Sequence, residues 1–162
     1  MTIAEMLLPE FDQEMATTRR VLERVPGEKG EWKPHPKSFS LGHLAQLVAW
    51  MPGWFTQMLQ ESELDLAQAG GYSLESTETL LRMFDENVRV ARETIAATSD
   101  TEFALPWSLK RGGEVMLTMP RAAVVRQTIS HLVHHRAQLT VYLRLLDVPV
   151  PSVYGPTADE KW

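Results

Sequence analysis

The 162-residue sequence contains no cysteine. That excludes disulfides, thiolate metal ligation and a cysteine nucleophile, so any metal must be held by nitrogen and oxygen donors. No apolar run approaches the roughly 20 residues a bilayer-spanning helix needs, and the opening Met1–Glu10 stretch has neither a basic leader nor a cleavage site. A cytoplasmic location with no membrane contact is the expectation. Basic residues are also in short supply. With 16 Lys and Arg against 21 Asp and Glu, the formal net charge is -5, which argues against nucleic acid as a partner. Repeats and low-complexity segments are missing too, and the length suits one domain over 1–162 with a single core.

What the sequence does have is helical periodicity. Thr2-x-x-Glu5 forms a capping-box pattern, followed by Leu7, Phe11, Met15, Leu22 and Val25 at helical spacing up to Pro26-Gly27. Pro9 sits within the first turns or marks a later start. Prolines and glycines around Trp32 then predict an ordered connection, and Ser40 caps a second helix from Leu41 to about Gln60 that Pro52-Gly53 should kink. A third helix follows Ser76 with Leu80, Leu81, Phe84, Val88, Ala91 and Ile95 on one side. Phe103 to Leu117 alternates around Gly112-Gly113 as a short hairpin would. Pro120 opens a fourth helix to about Leu146, closed by Val148-Pro149-Val150-Pro151. Four helices and one hairpin result.

Histidine is the residue to follow. His131 and His135 lie one turn apart on one face of the fourth helix, so both imidazoles can share a divalent ion. Val124, Thr128, Leu139, Tyr142 and Leu146 fall on or beside that face, which predicts that the pair points into the bundle. Gln138, at the stripe's edge, suits an outer hydrogen-bond partner, while His134 is turned away by about 60°. Spacing alone allows an equally ordinary alternative, two core histidines bonded to backbone, water or Tyr142. A third ligand must come from another helix. His43 on the second helix is the candidate, against the reading of a first-turn histidine packed on an indole; Glu14 or Asp12 of the first helix can offer oxygen instead. His35, between two prolines, reads as a loop residue. The metalloprotease pattern His-Glu-x-x-His is absent, because leucine follows His131.

Three stretches, Trp32-Lys-Pro-His-Pro-Lys-Ser-Phe-Ser-Leu-Gly, Pro52-Gly53-Trp54, and His131-Leu-Val-His-His-Arg-Ala-Gln-Leu with the tail Val153-Tyr-Gly-Pro-Thr-Ala-Asp-Glu, resemble the DinB-like (damage-inducible) family. The resemblance implies an all-α, up-down-down-up four-helix bundle, commonly a homodimer. It also implies a divalent metal such as Zn, Ni, Mn or Fe, held by one histidine of the second helix and two of the fourth. The last two map onto His131 and His135. The family's second-helix histidine falls at Leu47, so His43, about 6 Å along the axis, substitutes only if metal or helix shifts. Trp50 stands where close relatives place an acidic residue. Two functions follow from the resemblance. One is a metal-dependent hydrolase or thiol-dependent S-transferase acting on a small molecule through a metal-activated nucleophile. The other is an inactive bundle, its third ligand lost at Leu47, that binds a small apolar ligand or a partner protein.

Overall fold

The computed structural model describes residues 1–161. Thr2 and Glu5 form the reciprocal cap that opens α1, Ile3–Leu22. Pro9 lies inside this helix rather than at its start. Ser40 accepts from the His43 backbone N–H and opens α2, Leu41–Gln60, which runs unbroken through Pro52. Proline has no N–H to give the carbonyl four residues earlier, and one position along that row Asn87 of the next helix donates to the Ala49 carbonyl at 3.1 Å. Ser76 caps α3, Thr77–Ala97. A one-turn helix that the periodicity did not reveal, α4, Asp100–Phe103, follows with its own capping box from Ser99 and Glu102. Its Asp100 carboxylate accepts from the Ile3 N–H at 2.9 Å, tying it to the start of α1. The last long helix is α5, Arg121–Leu145.

α2 packs against α3 and α5, and α1 closes the bundle against the same two helices, so α1 and α2 sit on a diagonal. The core between them is largely apolar, with Phe11 and Phe55 meeting edge-to-face at 5.2 Å between ring centroids. The expected all-α bundle with a small β element is present.

The β element is larger than a hairpin. β2, Pro106–Arg111, and β3, Glu114–Pro120, pair antiparallel with Trp107 opposite Met119, and β1, Glu63–Asp65, adds to β2 in parallel. Gly112 and Gly113 adopt positive φ (59° and 83°), the geometry that the two-residue turn requires. The Asp65 carboxylate accepts from the N–H groups of Ala67, Gly112 and Gly113 at 2.8–2.9 Å, which locks β1 to the hairpin tip. A three-residue strand carries too little alternation to be read from sequence, and its pairing depends on this carboxylate.

Candidate functional site: a histidine pair beside an aromatic cleft

Three contacts set the register of α5 on α2. Thr128 reaches Met58 (Oγ1 to Sδ 3.4 Å), the His131 ring lies 5.9 Å from the Trp54 ring, and the Tyr142 hydroxyl donates to the Phe39 carbonyl at 3.2 Å. The helices therefore run antiparallel. Between those rungs, His135 and Gln138 fall level with the turn of α2 that carries Leu47 and Trp50.

The histidines do not point into the core as the helical wheel suggested. His131 is exposed and His135 half-buried, while Leu132, Arg136 and Leu139, one position further round the wheel, face the interior. The offset has a physical reason: Arg136 is 1% exposed and is held by groups on two other segments. Its Nη1 lies 2.6 Å from Glu14 Oε2 and donates to the Glu14 carbonyl and Thr18 Oγ1 at 3.2 Å, and its Nη2 donates to the Tyr154 hydroxyl at 2.9 Å. Tyr154 in turn donates to Glu14 Oε1 at 2.8 Å. Burial, followed by the bond to Glu14, raises the Tyr154 pKa above its ordinary value. Glu14 is thus committed to Arg136 and Tyr154, and Asp12 pairs with Arg92 of α3, so neither serves the histidines. Sequence reasoning missed this network. Its only signal was an arginine at the core position one turn after Leu132.

At the bundle's edge the two imidazoles face each other, Nε2 to Nε2 at 2.9 Å. Gln138 Oε1 lies 2.8 Å from His135 Nδ1, the outer partner expected from the sequence, and as acceptor it places the His135 proton on Nδ1 and a lone pair on Nε2. Partial desolvation of the ring, in a residue that is otherwise exposed, and then the neighbouring histidines lower the His131 pKa; for His135 burial is again the largest cause, partly opposed by the Gln138 bond. Both are therefore neutral near pH 7, the form that ligates. Two nitrogens about 2.0–2.1 Å from one ion and at right angles to each other would be about 2.9 Å apart, so the pair fits two adjacent positions on a metal.

The third position is not filled from His43. That ring is sandwiched between Phe39 (4.3 Å) and Tyr72 (4.8 Å, stacked), about one turn along α2 from the level of His135. Burial, then the charge of Lys33, lowers its pKa. Among the described residues no three His, Cys, Asp or Glu side chains form a group that could hold a metal ion. The residues fit a two-nitrogen seat and not the three-histidine centre that the resemblance implies. His134 stacks edge-on to His135 and is exposed, and His35 sits in a surface turn, where its Nδ1 accepts from the Lys37 N–H.

Next to the pair, across Trp54, opens a cleft of about 920 Å³. One stripe of α2 forms its floor: His43, Leu47, Trp50, Trp54 and Gln57 recur at three- and four-residue intervals. The far wall is the 61–72 segment, including all of β1. Gln46, 1% exposed, fastens that segment by bonding both the Oγ and the N–H of Ser73. Gly42 has a reason to lack a side chain, since a Cβ there would stand 2.6 Å from the Tyr72 hydroxyl. The cleft was not legible in the sequence, because half of its lining comes from an irregular segment.

Fold and site together define a helical bundle with a histidine pair at its edge and a large aromatic cleft. The family model described as "DinB family" matches residues 1–161, and the chain belongs to that family. Two solved structures share the fold. A DinB-like protein of Bacillus subtilis (YjoA) superposes with a TM-score of 0.71 at 14% identity, covering 91% of this chain and 96% of that one. A DinB-like protein of Bacillus cereus gives 0.71 at 21% identity over 91% and 95%. In sequence, 44 residues are 43% identical to the uncharacterized protein YrdA of Bacillus subtilis; the match spans 27% of this chain and 26% of that protein, about a quarter of its length.

Proposed function

We propose that this chain binds a small, largely apolar molecule in the α2 cleft. The observation that carries the reading is Leu47. It lines the cleft at the position where the family resemblance expects a histidine, and Trp50 and Trp54 extend the same apolar wall. A concave, mostly apolar space with a few polar groups is the usual form of a small-molecule site, and its volume lies in the range such sites occupy. Gln57, Asn87 and Glu61 supply polar contacts at its sides. Titration with the neutral dye Nile red tests this. Saturable binding that Leu47→Arg abolishes at an unchanged melting temperature is expected; equal binding by the variant would overturn the proposal.

The facing Nε2 atoms of His131 and His135 support a second reading, a divalent ion seated at the cleft's edge. The ion would supply Lewis acidity toward a molecule in the cleft, while His135, oriented by Gln138, presents its lone pair. With two protein donors the seat binds weakly. Zinc or nickel should raise the melting temperature of the protein, His131→Ala should remove the shift, and Leu47→His should enlarge it by adding a nitrogen at the matching level of α2. A shift that survives in His131→Ala would place the ion elsewhere.

A further inference from the structure

The charges around the cleft are of one sign. Glu61, Glu63 and Asp65 line it, and no lysine or arginine does. Their carboxylates are not equivalent. Glu63 pairs with the Lys110 ammonium at 2.6 Å, and Asp65 is consumed by three backbone N–H groups. Glu61 is exposed and has neither an ion pair nor a side-chain hydrogen bond among the described residues; the buried Arg121 beside it donates to its backbone carbonyl. Glu61 follows directly on the α2 stripe that carries Trp50 and Trp54, and Tyr72 lies in the wall facing that stripe. His43, the remaining basic group of the lining, is kept neutral by burial.

Indole and phenol faces carry negative potential, and a cation over them is attracted with a strength that grows as water is excluded. A carboxylate without an ion-pair partner at the mouth of the same concavity adds an attractive charge to those aromatic faces. An anionic ligand would meet three carboxylates and no donor cation. Glu61 is exposed at the mouth of the cleft, so a neutral ligand would leave its carboxylate in water and gain nothing from it. Resting on the assignment of the cleft as a small-molecule site, we propose that its ligand is an organic cation, an apolar body bearing an alkylated amine or ammonium head that Glu61 and the two tryptophans receive.

Three probes share a phenylbutyl body and differ in the head: 4-phenylbutyltrimethylammonium, 4-phenylbutan-1-ol and 5-phenylpentanoate. Tryptophan quenching in the full chain at low ionic strength reads their affinities. The cation is expected to bind at least about fivefold more tightly than the alcohol, and the carboxylate more weakly than either. Added salt should narrow the gap. Glu61→Gln should weaken the cation by about fivefold and leave the alcohol unchanged, which a merely structural role for Glu61 would not do. If the alcohol or the carboxylate matches the cation, or if Glu61→Gln leaves the preference intact, the charge inference is overturned while the cleft remains a binding site. If none of the three binds, the cleft reading falls with it.

Discussion

Arg136 shows how one side chain can decide where its neighbours point. A fully desolvated guanidinium is tolerated only with its donors satisfied, and here Glu14, Thr18 and Tyr154 satisfy them from α1 and the tail. Turning Arg136 inward turns His131 and His135 outward to the edge of the bundle. Arg136→Met would strand the Glu14 carboxylate in the core and should cost about 3–5 kcal/mol in urea unfolding, much of it recovered when Glu14→Leu is added. Tyr154→Phe, which removes one hydroxyl, should cost about 1 kcal/mol. At this scale the sequence revealed the spacing of His131 and His135 and the role of Gln138, because both follow from helical geometry alone. It could not reveal Arg136, whose burial depends on a glutamate 122 residues away, nor the fate of His43, which is set by Phe39 and Tyr72. Gly42→Ala should push the Tyr72 ring off His43, and a changed His43 titration by NMR would report it.

Helices were readable because their signals are local. The caps at Thr2, Ser40 and Ser76 sit where the pattern of Ser and Thr before apolar runs puts them. α2 continues through Pro52, as the apolar pattern to Gln60 predicts, and packs against α3 along its length. β1 stayed hidden because three residues carry no period, and its place comes from a carboxylate gripping a turn in the hairpin. Those backbone bonds, that to Ala67 first, lower the Asp65 pKa. Asp65→Ala should therefore free β1 from the Gly112-Gly113 turn, seen as faster amide exchange at residues 63–68 while α2 and α3 keep their protection. Because that segment walls the cleft, Nile red affinity should fall in the same variant.

For the molecule as a whole, among the described residues no helix is long and apolar enough to cross a membrane. Three histidines, His43, His131 and His135, have pKa values below the ordinary 6.5, each through burial first. Between those lowered values and 6.5 the unfolded chain binds more protons than the folded one, so stability rises with pH through this window. Acidification from pH 7.5 should lower the melting temperature as pH falls through about 6.5, and replacing all three with Gln should flatten that slope. The homodimer expected from the family resemblance stands as a proposal. The outer face of α5 supports it, since Val141 and Leu145 are 56% and 58% exposed there. Val141→Lys should then shift sedimentation from dimer to monomer, and an unchanged profile would remove that face from consideration. The tail brings a practical consequence. Arg20 grips Glu160, Arg144 grips Asp159, and Arg136 reaches Tyr154 from the centre of the fold. A purification handle or fluorophore fused just past those residues would tug on the deepest ion pair of the molecule. The Met1 side chain, 97% exposed, is the quieter place to attach one.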